Sequence, residues 1–66
     1  MTFETYRKRG KGWEYLGTRR SANSRSAAQQ AGYVHNLKVI GVRTEYSRDK
    51  ILVYRFQYVP QLHHGA

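Results

Sequence analysis

Arg7, Lys8, Arg9 and Lys11 crowd around two glycines in RKRGKG. Trp13 and Tyr15 follow at alternating positions, and Arg19, Arg20 and Arg25 come after them. The chemistry open to such a set is non-covalent. Lysine and arginine neutralise phosphates, and exposed rings stack on bases at roughly 1–3 kcal/mol each. A sheet surface with interleaved rings works this way in several RNA-binding modules. A basic hairpin tip also fits the DNA major groove as a two-stranded ribbon. RRSANSRS adds a helix start beside arginines, where free N–H groups can hold a phosphate, although an ordinary capped helix explains the same residues.

Stronger chemistry finds no support. Ser24, Ser26, His35 and Asp49 have no triad spacing, and Glu4, Glu14, Glu45 and Asp49 form no evident acid–base pair. Gly10 and Gly12 are turn glycines and not part of a phosphate-binding loop signature. There is no cysteine, and the three histidines are His35, His63 and His64. A structural zinc site needs four well-placed ligands, so His63-His64 amounts to a weak metal site at most. No enzyme activity, cofactor or resident metal is expected.

The totals point the same way. Twelve basic against four acidic residues give +8 on 66 residues, an excess that favours polyanions: DNA or RNA first, an anionic membrane surface second. Residues 1–25 carry seven basic and two acidic groups, hence +5, and the remainder five and two, hence +3. No apolar run approaches the roughly 18 residues of a membrane span, and TFETYRKRGK is polar and basic, so a secretory leader is not expected. A cytoplasmic location is expected, and the missing cysteines fit a reducing compartment. A chain this short has a small core, and disulfides are not available to it, so a homodimer is the expected aid to stability.

Elements must position these groups. TFETYRKR (2–9) and WEYLGTRRS (13–21) read as strands around a glycine turn, with Gly17 marking a bulge or a close backbone approach. Asn23 or Ser24 can cap a helix whose Ala27, Ala28 and Ala31 share one face, with Gly32 or Asn36 as its stop. LKVIGVRTEYS (37–47) and ILVYRFQYVP (51–60) read as a second hairpin ended by Pro60. The fold class is α+β: ββαββ, a four-stranded, mainly antiparallel sheet of two hairpins with one short helix packed on one face. Residues 1–60 form a single domain and 61–66 a flexible tail.

Pairing the hairpins symmetrically assigns faces. With Gly10-Lys11 as a two-residue loop, Tyr6, Lys8, Trp13, Tyr15 and Arg19 share one face, and Phe3, Thr5, Leu16 and Thr18 the other. With Arg48-Asp49 as the second loop, Thr44 faces Val53 and Gly41 faces Phe56. Ile40, Val42, Tyr46, Ile51, Val53 and Val59 then share one side, and Val39, Arg43, Leu52, Tyr54, Phe56 and Tyr58 the other. The candidate surface is therefore aromatic and basic: Tyr6, Lys8, Trp13, Tyr15, Arg19, Arg43, Tyr54, Phe56 and Tyr58. One short helix cannot cover both faces, so a ligand or a second copy must cover the rest.

The order strand, GKGW, strand, alanine-rich helix, strand, over Thr2 to Tyr46, distantly resembles the small basic ribosomal proteins of the archaeal and eukaryotic large subunit, which pair a short sheet with one helix. The resemblance lies in pattern and not in a diagnostic motif, and no residue role is transferred from it. The expected function is nucleic-acid binding by phosphate contacts from Arg7, Lys8, Arg9, Lys11, Arg19, Arg20 and Arg25, with Trp13 and Tyr15 stacking. The alternative is a homodimeric structural or adaptor protein whose aromatic sheet face is a protein interface.

Overall fold

The computed structural model describes residues 1–61. It contains β1 (Thr2–Arg9), β2 (Gly12–Arg20), α1 (Ser24–His35), β3 (Val39–Thr44) and β4 (Leu52–Arg55). All pairings are antiparallel, in the order β2-β1-β3-β4. The ββαββ sheet with one packed helix is as expected. The pair of histidines at 63–64, and all but Gln61 of the expected tail, lie outside the described residues.

Local chemistry accounts for the elements. Arg9 pairs with Gly12, so Gly10-Lys11 is the loop, and Gly10 alone takes the positive φ, 57°. A glycine at the first central position is the pattern of a type II′ hairpin turn. Asn23 caps α1: its Oδ1 accepts from the Ser26 N–H at 2.8 Å. Asn36, at φ 58° and ψ 49°, ends it, and the Gly32 carbonyl accepts from the N–H groups of Asn36 and Leu37, a Schellman-type close. Asn36 is thus the stop. Gly32 stays inside the helix for another reason: a Cβ there would meet the Leu37 carbonyl oxygen and the Pro60 ring at 2.9 Å.

The helix lays Ala27, Ala28 and Ala31 on Phe3, Ile40 and Val42, and Leu16, Leu37, Tyr54 and Phe56 pack around that core. Short alanine side chains let the helix approach closely, which a small core requires. Thr5 is buried among them, and its hydroxyl donates to the Gly17 carbonyl at 2.9 Å.

Two pairings differ from the symmetric expectation. In the first hairpin Thr5 faces Gly17 while Tyr6 faces Tyr15, so Leu16 is the extra residue of a bulge. Gly17, at φ 122°, supplies the backbone that the bulge needs. The odd residue exchanges the sides beyond it: Phe3 faces Arg19 and not Thr18. In the second hairpin Gly41 faces Val53 and Val42 faces Leu52. The connection runs from Glu45 to Ile51, because Ser47 closes a turn back onto the Thr44 carbonyl, around Tyr46 at φ 65°. The odd shift of β4 turns Leu52 and Tyr54 to the side of Ile40 and Val42. It also ends β4 at Arg55, well before Pro60.

Candidate nucleic-acid interface

The face opposite the helix can be written as cross-strand rows. The first is Trp13, Lys8, Val39, Arg55, continuing the β1–β3 register by one step. The next is Tyr15, Tyr6, Gly41, Val53. Then come Thr18, Glu4 and Arg43, with Ile51 one step beyond the β3–β4 pairing, and last Arg20 and Thr2. Among the described residues, every fully buried side chain of the sheet lies on the helix side instead.

Trp13 does not stand up from this face. A Cβ built on Gly41 would lie 3.0 Å from the indole Cε3 and Cζ3, so the ring reaches across β1 to lie over β3. Ile51 closes the same spot from the other side. The Lys8 ammonium sits 5.0 Å from the Trp13 ring centroid, within cation–π range. The tryptophan is thereby half-buried. Tyr15 is 57 % exposed, its ring centroid 5.6 Å from that of Tyr6.

Tyr6 is committed to a polar network. Its hydroxyl donates to Glu4 Oε1 at 2.7 Å, and Arg43 donates through Nε to Glu4 at 3.0 Å and through a terminal nitrogen to the Tyr6 oxygen at 2.9 Å. The Tyr6 hydrogen bond and then that of Arg43 hold the Glu4 carboxyl below its ordinary value. Burial, followed by the bond to Glu4, raises the Tyr6 hydroxyl. Glu4 thus cancels Arg43 locally, and Tyr6 works as a structural ring.

The expected site residues divide between two ends of the sheet. Arg7, Lys8, Arg9 and Lys11 lie at the β1–β2 tip, whereas Arg19, Arg20 and Arg25 lie at the β2–α1 junction. The bulge carries Arg19 off the open face, and its Nε donates to Gln30 of the helix at 3.4 Å. The β4 register likewise takes Tyr54 and Phe56 to the helix side, where they pack on the core. Tyr54 shares a short hydrogen bond with Ser24. Tyr58 lies beyond the end of β4 and is exposed.

Two cations escaped the sequence reading. Val39 pairs with Arg55, and the Phe56 N–H donates to the Lys38 carbonyl at 2.8 Å. These contacts bring Lys38 and Arg55 to the tip end, beside Arg7, Lys8, Arg9 and Lys11. Among the described residues the facing carboxylate there is Glu14, bridged to Arg9 at 2.9 Å. The signal that could have found them is the length of the β3–β4 connection, which sets where β4 ends.

A hollow of about 390 Å³ opens at the other end, lined by residues that include Phe3, Ser24, Val42, Leu52 and Lys50. No group of three or more histidine, aspartate or glutamate side chains is placed to hold a metal among the described residues. No helix among them is long and apolar enough to cross a membrane. Comparison of the chain with protein-family models, with characterised proteins and with solved structures finds no match in any of the three.

Proposed function

We propose that the protein binds nucleic acid, DNA or RNA, through the basic end of its sheet. The observation that supports this reading is the gathering of Arg7, Lys8, Arg9, Lys11, Lys38 and Arg55 at one end of the sheet, with Lys8 and Arg55 on its open face and Arg7 on the other, against the single bridged carboxylate of Glu14. A local excess of that size attracts phosphate strongly and non-specifically. Arg19, Arg20 and Arg25 form a lesser second contact at the far end. The proposed setting is the cytoplasm, with which a chain lacking cysteine is compatible.

The test is the salt dependence of binding to a mixed-sequence oligonucleotide. Affinity falls steeply as salt rises, with a slope of about −0.7 to −0.9 per phosphate neutralised. Lys38→Gln and Arg55→Gln each flatten that slope by about one contact. Absence of binding at low salt overturns the reading.

A homodimer closed through the open face is the second reading, favoured by the exposure of Tyr15 and Val53. It has a physical cost. A two-fold interface sets a patch against its own copy. With Lys8, Arg20, Arg43 and Arg55 against Glu4, this face would meet a copy carrying the same net positive charge. Sedimentation across a wide concentration range distinguishes the two readings.

A further inference from the structure

We propose that the open face carries one single strand of nucleic acid, laid along the β-strands from Trp13 to Tyr46. This deepens the nucleic-acid reading and rests on it.

Geometry selects the single strand. The open face spans four strands, about 4.8 Å apart. The major groove, about 12 Å wide, admits a helix or a two-stranded ribbon, and a sheet of this breadth stays outside it. A duplex also hides the faces of its bases, whereas a single strand can splay them onto rings. Half-buried Trp13 and the exposed ring of Tyr15 both lie on this face.

Tyr46, in the connection that follows β3, offers a further exposed ring at the far end of the sheet. It is 90 % exposed, and its backbone sits at φ 65°, a conformation that bulky residues rarely adopt. The strain turns an apolar ring into water, where it gains no packing. The connection is held by backbone bonds, from the Glu45 N–H to the Thr2 carbonyl and from the Ser47 N–H to the Thr44 carbonyl, each 3.0 Å, while Glu4, on the open face, accepts from Tyr6 and Arg43. The carboxylate is thereby occupied and does not confront an incoming phosphate unpaired.

Positive charge is concentrated at the Trp13 end, where Lys8 and Arg55 stand; Arg20 stands at the other end, and the connection that carries Tyr46 balances Arg48 and Lys50 against Glu45 and Asp49. From the row of Lys8 to the row of Thr2 is six residues, on the order of 20 Å at about 3.3 Å each. Other four-stranded RNA-binding sheets stack about two or three bases on a surface of this kind.

The experiment compares a fluorescein-labelled single strand of about 12 thymidines or uridines with a duplex of equal length, at about 50 mM salt. Trp13 is the one tryptophan, so its emission reports on the face directly. The single strand should bind at least about tenfold tighter than the duplex and quench Trp13. Tyr15→Ala and Tyr46→Ala should each weaken single-strand binding by about tenfold, without changing its salt slope or the affinity for duplex. Because Tyr46 makes so little contact, Tyr46→Ala keeps the test intact should Tyr15→Ala fold poorly. Duplex binding that equals or exceeds single-strand binding, with Trp13 emission unchanged, overturns this inference and leaves the basic-end reading standing. Loss of both binding activities overturns the two together. Trp13 emission that changes with protein concentration alone assigns the face to a second copy and overturns the inference.

Discussion

Trp13 and Gly41 fit each other across the sheet: the indole rooted on edge strand β2 passes over β1 and lies where a side chain on β3 would have stood. An aromatic covering a strand glycine is a known device for pinning register. The symmetric pairing of the second hairpin makes Phe56 the expected partner. The observed one comes from the opposite edge, so the glycine joins the two hairpins and not merely the strands of one. Gly41→Ala would bring its Cβ to 2.5 Å from Ile51 Cγ2 and 3.0 Å from the indole. It should destabilise the protein by about 1–3 kcal/mol. Urea denaturation followed by Trp13 emission measures both the loss and the displaced ring. An unchanged emission maximum would mean that the ring does not rest on Gly41.

Gly32→Ala tests the other side of the sheet through its sign. In an ordinary helix interior the change stabilises by about 0.5–1 kcal/mol. Here the new methyl would meet the Leu37 carbonyl and the Pro60 ring at 2.9 Å, and the variant should be less stable than the parent. Pro60→Ala in the same background should recover part of the loss, and a double-mutant cycle isolates that coupling. A stabilised single variant would disprove the close approach of residue 60 to the helix.

Glu4 makes stability depend on pH in a definite direction. Its carboxyl is held below 4.5 by the Tyr6 hydroxyl and then by Arg43. A depressed folded-state value means that the contribution is present above the unfolded-state value and is lost as pH falls through the folded one. The Tm of the parent should therefore drop as acid is added below about pH 4.5. Tyr6 is raised above 10.0, by burial first and by Glu4 next, so a second loss should set in on the alkaline side. Glu4→Gln removes the acid-side component, leaving a flatter Tm profile and a lower Tm at neutral pH. Parallel profiles for parent and variant would exclude Glu4 as the source.

What could be read without the structure follows the range of the interactions involved. The glycine turn, the Asn23 cap and the alanine stripe depend on neighbours a few residues away, and all three hold. The first hairpin is right as far as Tyr6 and Tyr15, after which one bulge residue exchanges Thr18 and Arg19 between faces. Gly17 is the visible trace of that bulge, but its effect on everything beyond it becomes clear only when the strand is paired in full. The second hairpin fails for a related reason. Arg48-Asp49 makes a reasonable tight loop on composition, yet the chain turns earlier, around Tyr46, and leaves a longer connection. A shift by an odd number of residues moves a whole strand's side chains to the other face. That shift moved Tyr54 and Phe56 from candidate binding rings into the core, and Arg55 from obscurity into the basic end.

Strand order carries a consequence for how the chain finds its shape. β1 is central, with β2 on one side and β3 on the other. The β1–β2 hairpin closes through a two-residue loop, whereas Phe3 must wait for Thr44 to arrive from far along the chain. Closing so long a segment is entropically costly, and contacts of that span slow folding. Until β3 docks, the inner edge of β1 stands as an open template, and a second nascent chain could add a strand to it. Arg7, Lys8 and Arg9 are carried on β1 itself, so such a pairing would set like charges against one another.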